Sequence, residues 1–385
     1  MKKIIVVTTS LSCGGITSFL IPLLNLLIKE GHEVTLAYTV DTAGFLSRIN
    51  PKIKTIQFSQ HNKVRMLFEW ILNFAFYDIY KLISRGKNEA PNYASNQRLA
   101  YISAKYIDVS FDHYDIAISS AEGFCNALVA LKISASKKIG WVHPDLGKIG
   151  LDIVKGQYIL NKFDNIIAVS KEGYNTLRNL FVKDSIKFLY IENLIDSSYI
   201  RKRAQENVTD LPIGNSKLIV TVCRIANESK RLDRVVRIAK ILKQNNYNFK
   251  WLIIGDGPDS NLIKSMIKEN KLDDCLLMMG GRNNPLPYIK KADVFVLTSQ
   301  YEGKPVVIEE AKVLHTPIIV TEYTSARDQV LSHLGVVVPN IDNVLEQKIA
   351  ELIMLKSFPT DIRNLNSTYE YDNKKSIDSI LKLLQ

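Results

Sequence analysis

Residues 292–322 read ADVFVLTSQYEGKPVVIEEAKVLHTPIIVTE, and this stretch carries the most informative chemistry of the sequence. It opens with a nearly unbroken apolar run, Val294 to Leu297, which is typical of a strand buried on both faces of a parallel sheet. Gly303 permits a tight turn, and Pro305 supplies the φ angle that the first turn of a helix needs. A helix and a second apolar strand, Ile318 to Val320, follow. The pattern predicts a strand–helix–strand unit of an open α/β sheet.

Two glutamates of this stretch are candidate functional residues. At 100° per residue, Glu310 falls within the apolar side of the predicted helix, whereas Glu309 and Lys312 fall outside it. A carboxylate among buried apolar side chains is costly unless it is paired or hydrogen-bonded. Glu310 is therefore either a ligand contact or a buried acid bonded to nearby backbone. Glu302 stands in the loop after the first strand, where ligands bind in open α/β sheets.

Length and composition limit the class of protein. The chain has 385 residues, of which 46% are hydrophobic, so we expect a globular protein of two domains. The polar segment Ile200 to Ser216, with Pro212 and Gly214, is interpreted as the linker. The start MKKIIVVTTS is interpreted as a first strand, and no segment reaches the roughly 20 apolar residues of a spanning helix. Cys13, Cys125, Cys223 and Cys275 are far apart in the sequence, which predicts reduced thiols and neither disulfides nor a zinc site.

The charge balance indicates an anionic partner. The net charge of +11 suits nucleic acid, anionic lipid or phosphorylated ligands. No nucleic-acid recognition motif accompanies the charge, so a nucleic-acid partner is not supported. Residues 62–87 combine aromatic residues at helical spacing with flanking basic residues. This stretch either packs on the core or lies on an anionic membrane surface.

Other candidate site residues follow predicted strands. Gly14 and Gly15 come after the first strand, and from the residues alone they form either a plain turn or a loop that approaches a ligand closely. His143 follows the strand Lys138 to Val142, where it is either a cleft residue or a structural hydrogen-bonding group. Arg224 and Lys230 stand six positions apart after the strand Leu218 to Val222, either as plain surface cations or as cations that act at a strand's carboxyl end.

These motifs together resemble a known enzyme family. Glu302, Gly303, Pro305, Glu310 and Ala311, with seven residues between the two glutamates, resemble the signature of retaining glycosyltransferases of family 4, a group 1-like family with the GT-B fold. The family often begins this signature with Glu-Gly-Phe-Gly, whereas Lys304 follows Gly303 here. The spacing of Arg224 and Lys230 matches the family's Arg and Lys, and Gly255-Asp256-Gly257-Pro258 matches its G-x-G-P turn.

The resemblance implies a role for each of these residues. It assigns Glu302 and His143 to the donor sugar, Glu310 to the nucleotide ribose, and Arg224 and Lys230 to the diphosphate. Gly14 and Gly15 would lie against the donor's phosphate and sugar. Gly303, Lys304 and Pro305 would present the start of the signature helix, whose N–H groups favour an anion, to the diphosphate.

The resemblance also implies an architecture. It predicts two Rossmann-like, doubly wound parallel-sheet domains that face each other across a cleft. Residues 1–197 would bind the acceptor, residues 198–370 would bind the nucleotide sugar, and a helix in residues 371–385 would pack back on the first domain.

The function implied is that of a retaining hexosyltransferase. A UDP-sugar would be the donor and a saccharide or lipid-linked saccharide of cell-surface polysaccharide synthesis the acceptor. No cofactor and no metal are expected, because the two cations replace a divalent ion. The expected location is the cytoplasm, with peripheral contact of 62–87 at the inner face of the membrane. An inverting transferase, a GT-B sugar-nucleotide epimerase and a non-catalytic nucleotide-binding partner of another transferase are the alternatives.

Overall fold

The computed structural model describes residues 1–11, 15–41, 44–58, 93–107, 111–144, 146, 153–181, 187–211, 214–330, 334–341, 344–355 and 369–385. Gly14 and the stretch 62–87 lie outside these residues, so what was inferred for them stays a prediction. The chain forms two compact units: Met1–Leu194 with Lys374–Gln385, and Ile195–Asn373. Across the described ranges, no helix combines the length and the apolar character that crossing a bilayer requires.

The first unit is a parallel α/β sheet. Its strands are β1 (Lys3–Val7), β2 (Ser10–Leu11), β3 (Glu33–Tyr38), β4 (Val40–Asp41), β5 (Lys54–Gln57), β6 (Tyr114–Ser119), β7 (Ala135–Val142), β8 (Asn165–Ala168) and β9 (Phe188–Tyr190). Its helices are Gly15–Lys29, Tyr93–Lys105, Phe124–Lys132, Ile153–Leu160, Lys171–Leu180 and Lys374–Leu384, with a 3-10 turn at Phe45–Arg48. The main sheet has the order β5-β3-β1-β6-β7-β8-β9, and β2 pairs with β4. The winding reverses between β1 and β6.

The second unit repeats this plan. Its strands are β10 (Lys217–Val222), β11 (Phe249–Ile254), β12 (Leu276–Gly280), β13 (Val294–Leu297), β14 (Ile318–Thr321) and β15 (Gly335–Val338). Its helices are Ser197–Arg203, Asn227–Lys230, Leu232–Gln244, Ser260–Glu269, Leu286–Lys291, Val306–Val313, Ala326–Gln329 and Leu345–Met354. The parallel order is β12-β11-β10-β13-β14-β15, with the reversal between β10 and β13. The prediction of doubly wound parallel sheets is confirmed for both units.

The second sheet has a hydrophobic core on each face. Val294 and Val296 belong to one buried cluster, whereas Phe295 and Leu297 belong to the other. All four side chains of β13 are buried, as the unbroken apolar run predicted. Because successive side chains of a strand point to opposite faces, a run without polar residues fits a strand covered by helices on both sides.

The last helix belongs to the first unit although it follows the second in sequence. Lys2 Nζ and Lys137 Nζ donate to the carbonyl oxygens of Leu384 and Leu383, each at 2.5 Å. These ammonium groups satisfy carbonyls that have no partner within the helix, and their charge suits the negative end of the helix dipole.

The two ends of the second unit are joined. The Asn373 carboxamide accepts a hydrogen bond from the Ile195 amide at 2.9 Å and donates to the Ile195 carbonyl at 2.7 Å. The chain therefore enters and leaves the second unit at one point, within the reach of a single side chain.

The segment that we interpreted as a linker, Ile200 to Ser216, is partly helical. Helix Ser197–Arg203 begins at Asp196, whose carboxylate accepts from the Tyr199 amide at 2.9 Å. Ile200 and Ala204 are buried in the core of the second unit. Within this short helix only Ile200 is buried, and Ala204 follows at its C-cap, which is too little to produce a periodic pattern in the sequence.

The face of helix Val306–Val313 was also assigned wrongly. Glu309 and Lys312 are 3% and 6% exposed, whereas Glu310 is only half-buried. The helix packs against the helices Ser197–Arg203 and Leu286–Lys291 as well as against β14. It is therefore buried around most of its circumference, and its half-buried positions Val307 and Glu310 mark its more open side.

The buried charges of this helix pair with each other. Lys312 Nζ lies 2.7 Å from Glu309 Oε2, an i,i+3 spacing that brings the two side chains together. Glu309 Oε1 accepts a further bond from Gln329 Nε2 at 3.1 Å. An acid and a base at neighbouring helical positions can thus both be buried, because each compensates the other.

Two glycines let the loop after β10 lie directly on the turn after β11. The Ile225 amide donates to the Asp256 carbonyl at 2.9 Å. A Cβ at Gly255 would lie 1.9 Å from the Cys223 carbonyl oxygen, and one at Gly257 would lie 2.2 Å from the Ile225 carbonyl oxygen. The backbone that carries Arg224 is therefore positioned by backbone contact, which no larger residue would permit.

We expect Gly255→Ala to lower the free energy of unfolding more than Gly214→Ala. Both glycines lie in the second unit with φ of +144° and +139°, so alanine carries similar backbone strain at either site, about 1–3 kcal/mol. Only Gly255 has a neighbour within 4 Å of the added Cβ, and relieving that overlap costs about 1–3 kcal/mol more. Urea denaturation of both variants measures the difference. If both variants lose the same free energy of unfolding, the loop carrying Arg224 moves away from the added Cβ at no cost, and the backbone contact does not position it.

Lys312→Met should destabilise the second unit by about 3–5 kcal/mol, because it leaves the Glu309 charge buried and uncompensated. The double variant Glu309→Leu/Lys312→Met removes both charges and should recover most of that loss. Denaturation of the single and double variants distinguishes pairing from simple packing. The pairing is disproved if the double variant loses as much stability as the sum of the two single variants.

Candidate active site

The second sheet brings the loops that carry Arg224 and Glu302 together at its carboxyl edge. β10 pairs directly with β13, with Ile219 opposite Val294. Arg224 lies in the loop after β10, and Glu302 lies in the loop after β13. Because parallel strands end at the same edge, these loops are neighbours at the reversal of the winding, which is where ligands bind in open α/β sheets.

An ion pair joins the two loops. Lys230 Nζ lies 2.5 Å from Glu302 Oε1, and the Ser299 hydroxyl donates to the same oxygen at 2.7 Å. The two charged side chains are 19% and 10% exposed, so solvent screens their attraction less than it screens that of a surface pair. Both partners had been singled out in the sequence, and the structure brings them into contact.

Further bonds hold the same two loops together beneath the ion pair. Thr298 Oγ1 lies 3.1 Å from the Lys230 carbonyl oxygen, and the Gln300 amide donates to the Ser229 carbonyl at 2.8 Å. Arg234, which is 1% exposed, donates to the Thr298 carbonyl at 3.1 Å and to Gln300 Oε1 at 2.8 Å. Sequence reasoning missed Arg234. An arginine between the apolar positions of an amphipathic helix was the signal that could have revealed it.

Arg224 differs from Lys230 in that its side chain is exposed. No ion pair or hydrogen bond joins its guanidinium to the described part of the chain. Its backbone is nevertheless fixed, because the neighbouring Ile225 amide is bonded to the turn after β11. A guanidinium on a fixed backbone at a strand's carboxyl end can bind a phosphate through two parallel hydrogen bonds.

The loop after β13 leads into the signature helix. Pro305 is the N-cap of helix Val306–Val313, with φ −65° and ψ 118°. Gly303, Lys304 and Glu310 are half-buried. The first amides of a helix have no partner within it, and the positive end of the helix dipole favours an anion there. The structure thus places Gly303, Lys304 and Pro305 between Glu302 and an anion-favouring helix start.

Two residues to which the sequence analysis assigned no role hold this loop from its other side. The Ser325 hydroxyl donates to the Gly303 carbonyl, and Gln329 Nε2 donates to the Pro305 carbonyl at 2.9 Å. Both residues follow β14, more than 20 positions away in sequence. No local pattern connects residues that far apart, so no sequence signal for these contacts was available.

Burial near this site keeps the Cys223 thiol and the Tyr301 hydroxyl protonated. Desolvation raises the pKa of the Cys223 thiol to about 12, while the Lys230 ammonium opposes the rise. Desolvation also raises the pKa of the Tyr301 hydroxyl, with the nearby Glu228 and Glu302 charges adding to the effect. At neutral pH neither group is an anionic nucleophile.

His143 lies at the carboxyl edge of the first sheet, directly after β7. Its Nε2 lies 2.9 Å from the Ser120 carbonyl oxygen. Because a carbonyl only accepts, Nε2 carries the proton, and Nδ1 of the neutral ring is an acceptor. The His143 amide donates to Glu122 Oε2 at 3.2 Å, and the ring meets Phe19 edge-on with centroids 5.7 Å apart.

Phe19 connects His143 to the helix Gly15–Lys29, on which it lies. Gly15 is the first residue of that helix. The helix start and His143 therefore share one edge of the first sheet. Their contacts with a donor stay predictions.

Within the described ranges, no three His, Cys, Asp or Glu side chains group closely enough to hold a metal ion. The expectation that no metal is needed is not tested by this observation.

Known proteins resemble this chain in sequence. Residues 204–366 match the family model described as glycosyl transferases group 1. An N-acetylgalactosaminyltransferase of Campylobacter jejuni, named for a diphospho-undecaprenol-linked substrate, is 27% identical over 43% of this chain and 43% of its own length. The N-acetyl-α-D-glucosaminyl L-malate synthase of Bacillus anthracis is 24% identical over 83% of this chain and 79% of its own. The chain spans about half or less of the length of most relatives that it matches.

A solved structure resembles the whole chain. TarM of S. aureus, crystallised as a variant with Fondaparinux, α-GlcNAc-glycerol and UDP, superimposes with a TM-score of 0.69 at 16% identity and covers 100% of both chains. At this identity the likeness concerns the fold. Residues 204–366 thus resemble the group 1 glycosyltransferases in sequence, and the chain as a whole has the GT-B fold.

Proposed function

We propose that the chain is a retaining glycosyltransferase of family 4 that transfers a hexosyl group from a nucleoside-diphosphate sugar, with UDP-sugar as the donor. The observation that carries the proposal is the cationic loop after β10, bearing Arg224 and Lys230, beside the helix start at Val306. This edge combines two positive side chains with the amides of a helix terminus, a combination suited to a diphosphate.

Leaving-group stabilisation follows from this arrangement. Negative charge grows on the diphosphate as the sugar–phosphate bond breaks, and fixed cations stabilise that charge more in the transition state than in the ground state. Arg224 supplies an exposed guanidinium, and Lys230 supplies an ammonium held by Glu302. The proposal needs no metal, since the two cations carry the neutralising charge.

Glu302 is suited to a sugar hydroxyl. Its Oε1 receives both the Lys230 and the Ser299 bond, whereas Oε2 has no partner among the described residues. Because the bonds to Oε1 fix the carboxylate group, Oε2 has a fixed direction and can accept a hydrogen bond from a hydroxyl group. For His143 and Glu310 the roles at the donor sugar and the ribose follow from the resemblance.

The acceptor is proposed to be a saccharide or lipid-linked saccharide of cell-surface polysaccharide or teichoic acid type. The names of the relatives support this acceptor, since the Campylobacter enzyme is named for a diphospho-undecaprenol-linked saccharide. A cytoplasmic location with peripheral membrane contact through residues 62–87 completes the proposal.

Transfer by the purified chain tests the proposal directly. Incubation with UDP-sugars and saccharide or lipid-linked acceptors should yield a product whose anomeric configuration, measured by NMR, matches that of the donor. Inversion would refute retention. If the chain binds a nucleotide sugar and transfers nothing to any acceptor, a non-catalytic partner becomes the better account.

Arg224→Ala should lower kcat by about 100- to 1000-fold and change the KM for the donor by no more than about 3-fold, because the charge that it meets develops in the transition state. Steady-state release of UDP measures both constants. Lys268→Ala removes an exposed cation from a helix of the same unit and is the control. A variant with wild-type kcat would remove Arg224 from the mechanism.

Glu310→Gln should weaken UDP binding by about 10-fold, since a charge-assisted bond to the ribose is replaced by a neutral one. Calorimetry with UDP and with 2′,3′-dideoxy-UDP measures the change, and wild type should prefer UDP by more than the variant does. Glu269→Gln, on the helix Ser260–Glu269, is the control. If both proteins discriminate equally between the two nucleotides, Glu310 does not contact the ribose.

A further inference from the structure

Arg231 follows Lys230 directly and has a left-handed backbone, with φ 48° and ψ 51°. It is the one residue between the helices Asn227–Lys230 and Leu232–Gln244. A residue with a long side chain adopts this conformation at a cost that glycine avoids, and such conformations persist only where the surroundings impose them. The contacts of Arg231 therefore have to compensate for this cost, directly beside a residue of the candidate site.

The side chain of Arg231 supplies part of that compensation. Its Nε lies 3.0 Å from Asp233 Oδ1, its Nη2 lies 3.1 Å from Asp233 Oδ2, and its Nη1 donates to Gln300 Oε1 at 3.2 Å. Burial raises the pKa of Asp233, but hydrogen bonds from Arg231 and Arg237 outweigh it, so this pKa lies below its ordinary value and Asp233 is charged at neutral pH. The guanidinium thus joins the left-handed residue to the first turn of the next helix and to the loop after β13.

Thr298 holds the peptide groups on both sides of Arg231. Its hydroxyl donates to the Lys230 carbonyl and to the Arg231 carbonyl, each at 3.1 Å. Thr298 is 0% exposed, so water does not compete for this hydroxyl. The Thr298 carbonyl accepts from Arg234 at 3.1 Å, which fixes the backbone that carries the hydroxyl. The left-handed turn is therefore held by the loop after β13 as well as by the Arg231 side chain.

The same loop holds Lys230 at two points. Thr298 binds the Lys230 carbonyl, and Glu302, four positions further along the loop, binds the ammonium with 2.5 Å between Nζ and Oε1. The Lys230 amide donates to the Ala226 carbonyl at 2.9 Å. An unrestrained lysine side chain samples many rotamers, whereas this one has partners at its backbone and at its tip. The place of the ammonium thus depends on the turn at Arg231, because that turn fixes the backbone from which the side chain extends.

We propose that Arg231 and Thr298 are positioning residues which hold the Lys230 ammonium in place for the donor's diphosphate, with Asp233 and Gln300 keeping Arg231 in its left-handed conformation. The inference rests on the proposed function, because it presupposes that a nucleoside diphosphate meets Lys230. A cation that is already held in place loses less freedom when the phosphate binds, so positioning raises affinity. Arg231 and Thr298 act through Lys230 and need no contact with the ligand.

Calorimetric titration with UDP tests the inference on Arg231→Gly. This variant loses the guanidinium but keeps the fold, because glycine adopts the left-handed conformation without strain. Lys271→Gly is the matched control. Lys271 is another cation with a left-handed backbone in the second unit, with φ 55°, but it lies between the helix Ser260–Glu269 and the start of β12, at the amino edge of the sheet.

A second set of variants tests Thr298. Thr298→Val removes the hydroxyl with little change in volume, and Thr298→Ser keeps the hydroxyl and should restore wild-type UDP affinity. Thr316→Val is the control for Thr298→Val, because it removes a buried hydroxyl that donates to the Ile289 carbonyl at 2.8 Å. Thr316 precedes β14, so it also lies at the amino edge of the sheet.

The expected loss of UDP affinity is about 3- to 10-fold in Arg231→Gly and in Thr298→Val, and about 10- to 100-fold in Lys230→Ala, which removes a charged hydrogen-bonding group. Adding Arg231→Gly to Lys230→Ala should change the affinity by no more than about 2-fold, because a positioning residue has no effect once the residue that it positions is gone. Lys271→Gly, Thr316→Val and Thr298→Ser should stay within about 2-fold of wild type.

Wild-type UDP affinity in both Arg231→Gly and Thr298→Val would overturn the inference. So would wild-type affinity in Lys230→Ala, or a loss on adding Arg231→Gly to Lys230→Ala as large as the loss in the wild-type background, since Arg231 would then act independently of Lys230. None of these outcomes bears on sugar transfer by the wild-type chain, so the proposed function would stand. A wild-type protein that binds neither UDP, GDP nor ADP would overturn both.

Discussion

The ion pair between Lys230 and Glu302 is the interaction on which the candidate site depends. It connects the loops of β10 and β13, the two neighbouring strands between which the winding of the second sheet reverses. Such a reversal leaves two successive loops without a helix crossing between them, and ligands bind at this point of open α/β sheets. The ion pair, with the bonds of Thr298 and Arg234, fixes the two loops to each other.

The loop after β13 is shaped from two directions. Its acidic side chain is bonded to the β10 side, through Lys230, and its carbonyl groups are bonded to the β14 side, through Ser325 and Gln329. The loop is therefore fixed by contacts with both neighbouring strand ends, and residues from three separate strand–helix units determine its position.

Long, strongly patterned features could be predicted from the sequence, whereas features that depend on tertiary packing could not. The buried strand β13 and the doubly wound sheets follow from apolar runs between turn residues, because strand burial leaves a local pattern. The assignment of Glu310 to the buried face was wrong because the helix is covered on several sides, which hides its true orientation from a periodicity argument. The bonds of Ser325 and Gln329 could not be foreseen, since they join residues of separate strand–helix units.

The second unit, Ile195–Asn373, is an insertion within the sequence of the first unit, and the hydrogen bonds between Ile195 and Asn373 join its two ends. During synthesis on the ribosome, the residues of the second unit emerge before the helix Lys374–Leu384 that Lys2 and Lys137 hold. The first unit therefore completes its own structure through contacts with a sequence separation of more than 240 residues, the kind that forms slowly. Until then, the part of its surface that this helix covers is open, and exposed surface of this kind favours aggregation of incompletely folded chains.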